Sequence, residues 1–271
     1  MKTSPPICSS TRLGRYSRCA FTLTELLVGG VVLAVVLAVV TRPLYDRGIK
    51  KKPLTQARHD MAVISAAIRN YHRDYGFYPV SDEVRRYSLT SGANGSAGDV
   101  TYGGAFDRQN GLAFTNSPVP PPALADNREV MAILQDYTAY PVSGLPTANA
   151  GHLRNTNKFN YLCGELPVSA GKTGTDIDLA CRDPWGNPYV ITMNLKGDVK
   201  CMDALYRCRA VSQKHGGSGH LGFTNAIDPG GNGDNFSRLD DVLVWSLGPD
   251  GKADPTIPAN QGVNADNVLS R

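Results

Sequence analysis

Nowhere among the six cysteines of this 271-residue chain do two stand as Cys-x-x-Cys. Structural zinc sites draw their ligands from such close pairs, so the spacing argues against a thiol-held metal. The first twenty residues contain no acid and no apolar run of their own. They offer only Lys2, Arg12, Arg15 and Arg18, with Pro5-Pro6 between them. A secretory signal needs an apolar centre behind its charged start, so this leader is not an ordinary one. A basic excess is also missing beyond it: without the leader's four, the 28 basic residues become 24, against 24 acidic. A nucleic-acid reading wants a basic patch in the folded part and loses its main support.

Enzyme signatures are equally scarce. Ser169-Ala170-Gly171-Lys172 fits Ser-x-x-Lys and Lys172-Thr173-Gly174 fits Lys-Thr-Gly, but the two share Lys172 and so cannot fill separate roles. Six residues instead of four separate Gly164 from Gly171-Lys172-Thr173, which spoils the likeness to a phosphate-binding loop. The stretch from Asp228 to Asn235 alternates small residues with oxygen donors but lacks the bidentate acid of an EF-hand, and it reads as a turn. His215 and His220 flank a glycine-rich loop. The chain is not expected to be an enzyme.

What is present begins at Phe21. An apolar run extends through Val40 and ends at Thr41-Arg42-Pro43, long enough by count to span a bilayer, which takes about twenty residues. It carries one acid, Glu25, and an ionised carboxylate beside hydrocarbon is costly unless it has a partner. Arg42, Arg47, Lys50, Lys51 and Lys52 follow the run and four basic residues precede it, so flanking charge does not choose an orientation. Next come Ala57, Met61, Ile64, Ile68, Tyr71 and Tyr75 at steps of four and three, one face of a helix, with Gly76 as its stop. Pro43 and Pro53 predict kinks or local unwinding.

Serine, glycine and proline clusters predict an exposed loop insertion over about 88–127. A second helix should start at Asp126 as cap, with Glu129 as reciprocal partner, Val130, Ile133 and Leu134 inward, and Pro141 at its end. Phe159 to Leu162, Pro188 to Leu195 and Val242 to Leu247 read as short antiparallel strands. The expected fold is α+β: a long N-terminal helix, transmembrane and then amphipathic, packed on a small antiparallel sheet with large loops.

The junction Ala20-Phe21-Thr22-Leu23-Thr24-Glu25 resembles that of the type IV pilins and type II secretion pseudopilins, although the family usually has glycine where Ala20 stands. Arg182-Asp183-Pro184-Trp185-Gly186-Asn187-Pro188-Tyr189-Val190 and Trp245-Ser246-Leu247-Gly248-Pro249-Asp250-Gly251 are similar to segments of the major pseudopilin. The resemblance implies a cleaved leader (1–20), a transmembrane and filament-core helix (21–43), its amphipathic continuation (44–76) and a pilin-like globular region (77–271). It implies cleavage after Ala20 by a prepilin peptidase, N-methylation of Phe21, and a Glu25 that meets the new amino terminus of a neighbouring copy. The implied role is a structural subunit of a type II secretion pseudopilus, on a single span in the inner membrane with its globular part in the periplasm or outside. The implied partners are further copies of the chain, other pseudopilins, the inner-membrane secretion platform and the membrane, with no nucleic acid. A type IV pilin subunit is the alternative within the class. A single-span membrane-anchored ligand-binding protein or enzyme is the alternative outside it.

The resemblance also implies one calcium ion, held by the Leu247 carbonyl and the Asp250 carboxylate, with Asn264-Ala265-Asp266 similar to the second ligand segment. Asp254 lies between the two halves and completes the candidate set. Hard oxygen donors on a loop suit that ion. With Cys8 and Cys19 lost in the leader, Cys163, Cys181, Cys201 and Cys208 remain in an oxidising compartment and allow two disulfides in three connectivities. Cys201 with Cys208 and Cys163 with Cys181 is the favoured pairing.

Overall fold

The computed structural model describes residues 23–90, 99–103, 122–162, 174–214, 219–228, 230–231 and 233–270. For part of the first helix, Glu25 included, only the backbone is described. The chain divides into two compact units, Met1–Ile49 and Lys50–Arg271. Four α-helices are described: α1 (Leu23–Tyr75), α2 (Asp82–Thr90), α3 (Arg128–Leu134) and α4 (Arg209–Ser212). The strands are β1 (Asp99–Tyr102), β2 (Gly174–Thr175), β3 (Cys181–Arg182), β4 (Val190–Asn194), β5 (Ala226–Ile227), β6 (Ser237–Arg238), β7 (Val242–Ser246) and β8 (Val268–Leu269).

The architecture is mixed α/β with antiparallel sheets, and it corrects the expected pilin-like fold at its start. Among the described residues no helix is long and apolar enough to cross a membrane. The transmembrane assignment over 21–43 and the single-span inner-membrane placement are both overturned. From Lys52 onward charged residues recur among the apolar ones, at Lys52, Arg58, Asp60, Arg69, Arg73 and Asp74, so no stretch of about twenty residues there is free of charge. Leu23, Leu27, Val28 and Val32 are exposed. The local unwinding expected as one outcome at Pro43 and Pro53 does not occur, since the backbone is helical at both.

Within the second unit the helical spacing acts as expected: Ala57, Met61, Ile64, Ile68 and Tyr71 are buried in the core, and Tyr75 packs at its margin. The helix ends where Gly76 turns to φ +73°, and its N–H bonds the His72 carbonyl at 2.8 Å. Only a residue without a Cβ takes that conformation cheaply. Opposite lies a four-stranded antiparallel sheet in the order β1-β4-β7-β8. Every residue of the two central strands, Val-Ile-Thr-Met-Asn and Val-Leu-Val-Trp-Ser, is buried, as suits β-branched and apolar strands covered on both faces.

Other expectations fail for local reasons. Among its described residues, the region read as a loop insertion takes in the last three residues of α2 and supplies β1 as an edge strand with Val100 and Tyr102 buried. Glu129 does not close a capping box. It turns inward, where its carboxylate accepts the Ser81 N–H at 2.8 Å and the Tyr102 hydroxyl at 2.7 Å. The helix it belongs to stops at Leu134, short of Pro141. Phe159 to Leu162 form no strand, because the Asn155 side chain bonds both the Phe159 carbonyl and the Phe159 N–H and closes a turn.

Cys181, Cys201 and Cys208 are buried free thiols, and Cys163 lies outside the described residues. The favoured Cys201–Cys208 bridge is therefore absent. The backbone of Cys201 is pinned to Arg238 by two bonds of 2.9 Å, while the Cys208 Sγ faces the Ala204 carbonyl at the start of α4. Burial pushes the Cys208 thiol up to about 12, which leaves little thiolate to react.

Candidate functional site

Two segments far apart in sequence meet at one end of the central strands. Val190 pairs with Trp245 in the β4–β7 ladder. One turn earlier, Asp183 is fully buried: one carboxylate oxygen accepts the Trp185 and Asn187 N–H groups at 2.9 Å each, and the other accepts the Ser246 hydroxyl at 2.5 Å. Burial raises this acid above its ordinary value, against the lowering effect of those bonds. Asn187 then reaches across and donates to the Gly248 carbonyl at 2.8 Å. The Asp183–Asn187 turn and the Ser246–Gly251 turn thus form one hydrogen-bonded junction. Trp185 is only half-buried, and the fully buried tryptophan is Trp245, whose indole N–H donates to Asp203 at 3.0 Å.

The junction sets the geometry of the candidate cation loop. Gly248 sits at φ +68°, and a Cβ on it would collide with the Asp266 backbone carbonyl, so the two halves of the loop touch through a glycine. The Asp250 N–H donates to the Asp266 carboxylate at 3.2 Å, and the other Asp266 oxygen is buried with no hydrogen-bond partner among the described residues. Burial raises the Asp266 acid above its ordinary value, and the neighbouring Asp250 charge adds to the rise.

The structure brings Asp250 and Asp266 together and sets Asp254 and Asn264 apart. The Asn264 side chain is spent on three bonds, donating to the Asp254 and Ile257 carbonyls at 2.7 Å each and accepting the Asp254 N–H at 2.9 Å. Asp254 caps Thr256 through its N–H and hydroxyl. Freeing these oxygens for a metal would break the bonds that hold the Asp254 and Thr256 backbone N–H groups. Leu247, half-buried against the core, directly follows β7. Among the described residues no group of three or more His, Cys, Asp or Glu side chains could hold a metal. A calcium ion here would draw on two carboxylates, and the rest of its six to eight oxygens would be carbonyls and water. The unpartnered Asp266 oxygen beside a second carboxylate fits that chemistry.

Of the assembly residues, Ala20 and Phe21 lie outside the described residues. Glu25 falls in the first turns of α1, whose described neighbours Leu23, Leu27 and Val28 are exposed. Among the described residues of 228–235, Asp228 pairs with Arg209 at 3.1 Å and caps Gly230, and Asp234 accepts the Arg209 N–H. No family model matches the chain, and no curated protein or solved structure matches it.

Proposed function

We propose that the chain is a structural subunit of a type II secretion pseudopilus, processed after Ala20 and joined to further copies of itself through the start of α1. The observation that carries this reading is the junction of Asp183–Asn187 with Ser246–Gly248. The two segments whose sequences resemble the major pseudopilin are bonded to each other, as parts of one scaffold would be. The exposed apolar side chains at Leu23, Leu27, Val28 and Val32 supply surface for helix-to-helix contact. Glu25 supplies a charge that needs the amino group of a neighbouring Phe21 once that surface is dry.

The same reading gives the loop one calcium ion, held by the Asp250 and Asp266 carboxylates and the Leu247 carbonyl. Such an ion would offset two acids that repel each other and tie the loop's ends together. Amino-terminal mass analysis of the protein from its native host tests the assignment. A chain beginning at N-methylated Phe21 supports it, and one beginning at Met1 overturns it.

A further inference from the structure

We propose that Asp99 is a proton-operated clasp that fastens the edge strand β1 to the segment following β4. Along one side β1 pairs with β4, from Asp99 opposite Asn194 to Tyr102 opposite Ile191. Asp99 and Thr101, two residues apart and so on one face of the strand, meet the segment after β4 through their side chains. The Met202 N–H donates to one Asp99 carboxylate oxygen at 3.0 Å, and the Ala204 N–H donates to the Thr101 hydroxyl at 3.2 Å. The second Asp99 oxygen is buried and has no hydrogen-bond partner among the described residues. A dry, unpaired oxygen is costly on an ionised carboxylate and much less so on a protonated one.

The surrounding groups do not cancel that cost. Lys196 and Arg207 draw toward the negative charge, Asp198 opposes it, and the Cys201 thiol, kept neutral by its own burial, lies within electrostatic reach. Asp198 is itself fixed in place by Asn194 and the Lys200 N–H. Burial outweighs the rest and pushes the Asp99 carboxyl up to about 6. A group whose folded value is raised contributes stability that is complete below its unfolded value, about 3.9. That contribution is lost as pH rises through the folded value. The clasp is accordingly closed in mild acid and weakened at neutrality, where β1 opens more often than the central strands. None of this depends on the filament reading.

The test is hydrogen exchange of the β1 amides in the full chain, expressed as protection relative to unstructured peptide, together with a carboxyl-resonance titration of Asp99. Protection of β1 should rise by roughly tenfold or more between pH 7 and pH 4.5, the scale set by a displacement from about 3.9 to about 6. Asp99→Asn, a neutral mimic of the protonated form, should show no such rise. The carboxyl midpoint should fall near 6. A midpoint at or below 4, or the same pH dependence in Asp99→Asn, overturns the proposal. If the variant does not fold, the wild-type titration still decides.

Discussion

The Tyr189 hydroxyl, one residue before β4, donates to the Asp60 carboxylate on α1 at 2.9 Å, inside the core and across 129 positions of sequence. Gln56 on the same helix donates to the other Asp60 oxygen at 2.7 Å. Burial raises the Asp60 acid above its ordinary value, against the lowering effect of these two bonds. Tyr189→Phe should therefore cost about 1–3 kcal/mol, since it strands a buried acceptor. Asp60→Asn should cost less, and its deficit should shrink between a pH near the ordinary carboxylate value, about 4, and neutrality. The wild type loses the contribution of this raised group as pH climbs through its folded value. Urea unfolding at the two pH values measures both, and a neutral Tyr189→Phe would show that the bond contributes nothing.

Gly248 offers a sharper steric test. Gly248→Ala adds a Cβ at φ +68° against the Asp266 carbonyl, whereas Gly144→Ala adds one at φ +67° with nothing within 4 Å. Both variants strain the backbone by about 1–2 kcal/mol. Only the first must also shift its neighbour, for an expected total of about 3 kcal/mol or more. Equal losses in thermal unfolding would rule out the collision.

Calcium should stabilise the chain by about 2.7 kcal/mol when it stands a hundredfold above its dissociation constant. Asp250→Ala should abolish that response, and Asp254→Ala, at a residue bonded to Thr256 and Asn264, should keep it. Identical melting temperatures of the wild type in excess calcium and in chelator would remove the ion from the site.

Glu25→Leu should leave the Lys50–Arg271 unit folded, as judged by an unchanged melting temperature, while filament yield falls severalfold. The variant keeps apolar surface along α1 and loses only the charge that pairs with a neighbouring amine. Undiminished filaments would refute that pairing.

The helix stripe and the two central strands were legible because periodicity reports burial. Ala57 through Tyr71 recur at helical spacing, and the apolar runs at Val190 and Val242 are long and bounded by turn residues. The burial of Asp60 gives no such signal, because the Tyr189 hydroxyl that meets its charge comes from far along the sequence. Likewise β1, only four residues set among glycine and serine, gives no periodic signal, and partners distant in sequence hold it in place. The candidate loop was half legible. Acids crowd its sequence, but only three-dimensional contact assigns Asn264 to backbone bonds and leaves an Asp266 oxygen unpartnered.

The strand order β1-β4-β7-β8 also governs how the chain reaches this state. Thr101 touches Thr192 across 91 positions, and Asp183 touches Ser246 across 63. Closing such distant contacts delays the reward of pairing, so the rate-limiting step should be slow and highly cooperative. During synthesis β4 must wait, with Val190, Ile191 and Met193 lacking their β7 partner, until β7 leaves the ribosome about fifty residues later, and that interval is when the growing chain is most prone to stick to others.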